Sequence, residues 1–304
     1  MLRYAAAAAA LKTLSVSSSF YRLLGNTVGA RGRVKVGLRQ QYLDRAKKVF
    51  AISKRYKIED GQRLLELGTG WVHWESLIFR LFNDVEIVLL DVWDNRQLAA
   101  LKQYCRQLDA VIDVHIDMNH AQSVRAHGLL DQILTVNSFD EMYRLLNWKY
   151  VIEPSGKLQN LPADHFDLAY SVNVAEHIHS HLVPGYVKDM YRILKPGGLS
   201  IHTIDLTDHL TTQYAPDMSV KNYLRYSDRV WKMFFENGPQ YFNRLQRSQW
   251  LAYFDGACFE LKEDFSRFDN IGPIKVHKQY GNLTQKDVDC MALNIVHKKP
   301  YAES

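Results

Sequence analysis

The sequence predicts a doubly wound α/β fold whose mostly parallel sheet has seven strands. Three observations carry this. Short apolar runs alternate with helical patterns through residues 46–204, a glycine turn stands where the first run gives way to a helix, and two C-terminal runs alternate like an antiparallel pair at the sheet edge. The 304 residues, 47% of them hydrophobic, are enough to bury the core of such a domain.

Residues 1–43 contain no acid and seven bases: Arg3, Lys12, Arg22, Arg31, Arg33, Lys35 and Arg39. Subtracting these from the net charge of +5 leaves −2 for the remainder, so the body is not a polyanion-binding surface by charge. Residues 1–45 read as a basic helical arm and residues 46–304 as the main domain. The alanines at 5–10, Leu11, Lys12, Leu14 and the serines of 15–19 fit either an organelle transit peptide or a cytosolic amphipathic helix. The arm is thus either cleaved, packed on the body or in peripheral contact with a membrane. No apolar run reaches the roughly 18 residues of a spanning helix. Cys105, Cys258 and Cys290 form no CxxC pair and fit a reducing, cytoplasmic compartment.

Apolar residues recur at helical spacing over 41–56 (Leu43, Ala46, Val49, Phe50, Ile52). A strand at 64–67 ends at Gly68, a helix follows at 74–82, a second strand at 85–90 stops at Asp91, and 95–108 reads as the next helix. Residues 109–148 interrupt the alternation with helical stretches at 120–134 and 139–146, before a strand at 149–152. A buried strand at 166–171, a helix at 186–194, a turn at Pro196-Gly197-Gly198 and a strand at 199–204 complete the alternation. The aromatic, basic stretch 214–254 reads as helices of a cap inserted at about 206–255. Residues 258–265 and 291–297 are the closing strand pair.

The sharpest local feature is Glu66-Leu67-Gly68-Thr69-Gly70-Trp71 at a strand-to-helix turn, where glycines permit close backbone approach and helix N–H groups are free. Asp91, about 20 residues on at the end of the next strand, can accept from both hydroxyls of a ribose. Together these describe an adenosine-containing cofactor. The dinucleotide pattern GxGxxG would need glycine where His73 stands, which disfavours NAD. The methionine part of S-adenosylmethionine (SAM) tolerates Trp71, Val72 and His73 more easily than a pyrophosphate would.

ELGTGW, LLDVWD, LPADHFDLAYSVNVAEHI and LKPGG occur in the order seen in class I SAM-dependent methyltransferases, which this chain resembles over residues 63–205. The resemblance implies a Rossmann-like fold, SAM as cofactor, a methionine part wrapped by Glu66, Gly68, Thr69, Gly70 and Trp71, and a ribose held by Asp91. Val92, after Asp91, and Ser171 and Asn173, at the carboxyl edge of the 166–171 strand, are further expected cofactor contacts. The loop before Leu161-Pro162 faces the adenine. Two positions depart from the family pattern: Val72 replaces a glycine, and Lys157 replaces an acid, which puts the adenine contacts in question.

His177 follows that strand and can accept a proton at neutral pH. His202-Thr203-Ile204-Asp205-Leu206-Thr207-Asp208-His209 resembles a segment of bacterial methyltransferases associated with polysaccharide biosynthesis, as do residues 222–227 and 241–245. Methyl transfer is an in-line displacement in which the enzyme positions the acceptor and, for a hydroxyl, removes its proton. His177, His202, Asp205 and His209 are therefore the candidate catalytic residues, and Asp208, Arg225 and Arg244 the candidate substrate contacts. Asp205 and Asp208 also suit helix caps, His202 a satisfied strand position, and the aromatic stretch a core; no metal is expected. The acceptor expected is a small molecule or saccharide methylated at a hydroxyl oxygen. No Asn-Pro-Pro-Tyr occurs, and nucleic acid is not an expected partner. A methyltransferase fold that lost catalysis and serves as a scaffold, and an NAD-dependent oxidoreductase, are the alternatives.

Overall fold

The computed structural model describes residues 2–14, 18–272 and 274–301. In chain order the elements are α1 (Leu2–Leu14), α2 (Ser18–Val36), α3 (Gln40–Arg55), β1 (Arg63–Leu67), α4 (Trp74–Phe82), β2 (Glu86–Asp91), α5 (Leu98–Asp109), α6 (Ile112–His115), α7 (His120–Thr135), α8 (Phe139–Leu146), β3 (Trp148–Ile152) and β4 (Phe166–Val172). They continue with α9 (Val183–Ile193), β5 (Leu194–Asp205), α10 (His209–Tyr214), α11 (Asp228–Phe234), α12 (Arg247–Asp255), β6 (Glu260–Asp264), β7 (Arg267–Phe268), α13 (Gln285–Asp289) and β8 (Cys290–Lys298). The strand order is β3-β2-β1-β4-β5-β8-β6, with β7 also paired to β8. Among the described residues eight strands thus stand where seven were expected, the addition being the two-residue β7.

The chain divides into two compact units, one of Leu24–Lys157 and His165–Tyr170, the other of Met1–Leu23, Leu158–Asp164 and Ser171–Ser304. In the first, β1 pairs in parallel with β2 and β4, and β2 with β3, so that Glu66 lies beside Leu89 and Tyr170. Leu64, Leu65 and Leu67 are all buried, and so is Glu66 among them, as in a strand covered on both faces. On α3 the predicted apolar stripe of Leu43, Ala46, Val49 and Phe50 is buried, and Phe50 meets Phe82 of α4 with ring centroids 4.5 Å apart. A capping box of Asn119 and Gln122 starts α7, Ser138 caps α8, and Asn147, at φ 54°, ends it and delivers the chain into β3.

In the second unit β8 runs antiparallel to β5, β6 and β7, with Leu199 opposite Lys298 and Asp205 opposite Ala292. The turn expected at residues 196–198 is instead part of β5. Gly197 bends the strand at φ 83°, and pairing continues as Gly197 N–H donates to Lys299 and Lys299 N–H donates to Gly198. A distant partner thereby overrides a local turn signal.

The described part of the basic arm contributes α1 and α2. Ser15, Val16 and Ser17 lie outside the described residues, and the arm contributes to both units. On α1, Tyr4, Ala8 and Leu11 form a buried stripe against Leu210, Tyr223, Trp231 and Phe242. Tyr4 Oη donates to Asp208 at 2.7 Å, and Lys12 Nζ donates to the carbonyls of Lys232 and Met233 at 2.9 and 2.8 Å, where cations favour a helix end. No helix among the described residues is long and apolar enough to cross a membrane. The aromatic stretch after β5 is largely core, since Tyr223, Trp231, Phe242, Trp250 and Phe254 are all buried.

Candidate functional site

In the first unit β1 ends at Leu67 and the chain reverses through Gly68 and Gly70 at φ 66° and 63°, a region costly for residues with a Cβ. Gly68 N–H donates to the Leu90 carbonyl at 2.8 Å, tying the turn to β2. Asp91, at the end of β2, accepts from Gly70 N–H at 3.0 Å with one oxygen and from Val92 N–H at 2.7 Å with the other. Burial pushes its pKa up and these amides pull against that. The Trp93 amide and the Asn95 side chain also favour its ionised form, so donors converge on this carboxylate at the turn.

A Cβ on Gly70 would meet no heavy atom closer than the Gly68 carbonyl oxygen at 4.0 Å, so the turn presents an open backbone face. An open glycine face beside a buried carboxylate fits an adenosyl cofactor.

Other residues shape the turn from below. Glu66 is buried and accepts from Ser76 Oγ and, at 3.0 Å, from Thr69 Oγ1; burial and the neighbouring Glu75 push its pKa up to about 8. Their side chains point into the core, leaving backbone as the ligand-facing part. His73, which replaces the third glycine of a dinucleotide turn, adopts a glycine-like φ of 45°. Its imidazole stabilises that conformation by bonding Thr69 Oγ1 at 2.7 Å and Tyr143 Oη at 3.0 Å, among the rings of Phe139, Trp148 and Tyr150. Burial lowers its pKa to about 3, so it is neutral. Sequence reasoning saw His73 only as a missing glycine. It also passed over Arg33 of α2, whose guanidinium carbon lies 3.7 Å from the Trp71 ring centroid.

In the second unit the predicted polar residues separate into two groups. His202 is 2% exposed, with Nδ1 at 2.8 Å from Ser171 Oγ and Nε2 at 2.7 Å from Ser200 Oγ. Burial lowers its pKa to about 3; with both nitrogens occupied it is a core residue, and Ser171 is its partner. Asp208 is fully buried as the cap of α10, accepting from Leu210 N–H, Thr211 N–H and Tyr4 Oη. Arg244 pairs with Asp228, donates to the Tyr226 carbonyl at 3.2 Å and lies 5.0 Å from the Trp231 ring. These engagements remove His202 from proton transfer and Asp208 and Arg244 from substrate contact. Arg225 is exposed, and so is Asn173, which takes φ 56° and donates its N–H to the Thr203 carbonyl at 2.8 Å.

His177, Asp205 and His209 do come together. The imidazoles of His177 and His209 lie 5.3 Å apart, and His209 Nε2 is 3.6 Å from Asp205 Oδ2. His177 Nδ1 lies 2.5 Å from the Tyr241 carbonyl. A carbonyl only accepts, so Nδ1 carries the proton and Nε2 presents a lone pair. The protein atoms around this otherwise accessible ring, and the facing His209, lower the His177 pKa. Burial pushes Asp205 up, but His209 and the Thr207 donors outweigh it and hold its pKa below the ordinary carboxylate value. Among the described residues no three of His, Cys, Asp or Glu are arranged to hold a metal ion.

The family model described as a methyltransferase domain matches residues 38–263, most of the chain. The chain belongs to this methyltransferase family. Its cofactor is S-adenosylmethionine, and its Rossmann-like fold and class I membership agree with the motif order. No curated protein matches the chain. Among solved structures it is similar to a SAM-dependent methyltransferase of Methanosarcina mazei, at 10% identity over 82% of this chain and 97% of that one, with a TM-score of 0.47. It is similar to YcgJ of Bacillus subtilis at 14% identity over 87% and 100%, with a TM-score of 0.46. A Haemonchus contortus phosphoethanolamine N-methyltransferase 2 bound to SAM is 14% identical over 83% of this chain and 52% of that one, with a TM-score of 0.45.

Proposed function

We propose that this methyltransferase methylates a hydroxyl oxygen of a small-molecule or saccharide acceptor, with His177 as the proton acceptor. The observation that carries this is the contact of His177 Nδ1 with the Tyr241 carbonyl, which leaves Nε2 as an accessible lone pair. SAM supplies an electrophilic methyl group, and transfer to the acceptor oxygen leaves S-adenosylhomocysteine. The hydroxyl proton passes to His177 Nε2. Asp205, held ionised, orients His209, and the pair binds a second polar group of the acceptor. Arg225 remains available for an acceptor's charged or hydroxylated part. The backbone around Gly68 and Gly70, with Thr69, Trp71 and Val92, holds the methionine side of the cofactor, while Asp91 accepts from its ribose.

The resemblance of residues 202–209 to enzymes associated with polysaccharide biosynthesis supports a sugar acceptor. Free cysteines at 105, 258 and 290 support a cytoplasmic location. The test is a screen of hydroxylated acceptors with SAM labelled in its methyl group, followed by product analysis. Label on oxygen, lost in His177→Ala while S-adenosylhomocysteine still binds, supports the reading; label on nitrogen or carbon overturns it.

A further inference from the structure

Arg33 ties three segments of the first unit together. Its Nε donates to Gln97 Oε1 at 2.7 Å, an Nη donates to the Gly25 carbonyl at 2.7 Å, and its plane covers Trp71. Gln97 in turn donates its backbone N–H to the Trp71 carbonyl at 3.1 Å. Thus α2, the cofactor turn and the loop after β2 meet at one cation.

That cation lacks a counter-ion. Arg45 pairs with Glu75, Arg80 with Asp84 and Arg96 with Asp94, but among the described residues no acid pairs with Arg33. Burial lowers its pKa, opposed only by the phenols of Tyr42 and Tyr104. A half-buried guanidinium bonded only to neutral groups retains donors and favours an anion. Beside it opens a cavity of about 330 Å³ lined by Arg33, Arg39, Tyr42, Trp71, Tyr104 and the bare backbone of α2 at Gly29 and Gly32. A side chain at Gly29 would stand 3.2 Å from an Arg33 nitrogen, whereas one at Gly32 would meet nothing within 4 Å.

The cofactor carries one carboxylate, on the methionyl part assigned to the turn that ends at Trp71. We propose that Arg33 binds this α-carboxylate at the cavity, so that α2 recognises the amino-acid part of the cofactor. This rests on the cofactor assignment above.

The test is calorimetric titration of the full chain with two ligands. S-adenosylhomocysteine carries the carboxylate; 5′-methylthioadenosine shares the adenosine and thioether but lacks the amino-acid part. In Arg33→Gln, checked for folding by circular dichroism, the affinity for S-adenosylhomocysteine falls by about tenfold or more, the effect of one lost charge-assisted contact, while that for 5′-methylthioadenosine stays within about twofold. Arg33→Lys, which keeps the charge but not the fork, retains part of the affinity. Unchanged S-adenosylhomocysteine binding in Arg33→Gln overturns the proposal. Equal weakening of both ligands also overturns it, because Arg33 then only holds α2 on Trp71. A folded wild-type chain that binds neither ligand overturns the cofactor assignment itself.

Discussion

Tyr4→Phe probes whether α1 is a working part of the protein. The substitution preserves the ring, which is 1% exposed and 5.3 Å from Phe235, and deletes only the hydroxyl that donates to Asp208 at 2.7 Å. Asp208 keeps its two backbone donors on α10 but loses its third partner while fully buried. A hydrogen bond to a buried charged group contributes about 1.5–3 kcal/mol, so a loss of about 2 kcal/mol is expected where Asp208 is ionised. Burial raises the Asp208 pKa above the ordinary carboxylate value of 3.8, and losing the Tyr4 donor raises it further. A raised carboxylate pKa means that the folded state gains relative stability as the group is protonated. The difference between wild type and variant is therefore largest at high pH and shrinks as pH falls through the raised Asp208 pKa. Urea unfolding at a series of pH values measures this. A variant as stable as wild type at pH 8, or a difference that grows on acidification, refutes the reasoning.

Three further outcomes follow from the geometry. Turnover depends on neutral His177, whose pKa is lowered, so the rate against pH rises through an inflection below the ordinary imidazole value of 6.5 and then levels; an inflection above 6.5 contradicts the assignment. His73 and His202, with pKa values lowered from 6.5 to about 3, stay neutral in the folded state while the unfolded chain takes up protons. Their contribution is complete above 6.5 and falls by about 2 kcal/mol each by pH 5, so denaturation midpoints equal at pH 7 and pH 5 would count against their burial. Gly70→Ala costs about 1 kcal/mol of stability from its positive φ, yet weakens SAM binding at least tenfold because the Cβ enters the open face; calorimetry beside a thermal melt separates the effects.

The elements legible in the sequence are those whose signals are local. The α4 helix over Trp74–Phe82 and the apolar β4 strand are found where periodicity places them, and the glycine turn and Asp91 meet as their spacing implies. What was not legible depends on distant partners. His202 and His209 stand in one short polar segment, yet Ser171 and Ser200 enclose the first while Asp205 faces the second. The burial of Ala8 in the alanine-rich start was not legible either, because its partners Leu210, Tyr223 and Trp231 lie far along the chain. Arg244 reads as a free cation until Asp228 and the Tyr226 carbonyl are seen to hold it. The left-handed backbone of His73 is invisible because its stabilisation comes from Tyr143, 70 residues away.

Titration of the wild-type chain and Asp91→Asn with SAM tests the central claim most directly. The Asn side chain keeps the shape and an acceptor for one of the Gly70 and Val92 amides, but sets an NH2 group against the other and removes the charge that would receive the ribose hydroxyls. Saturable binding by wild type, weakened about 10- to 100-fold in Asp91→Asn with folding intact, is the predicted result, since hydrogen bonds to a charged group contribute about 1.5–3 kcal/mol. Equal affinity in the two proteins, or no binding by folded wild type, would contradict the account of this turn as the SAM site.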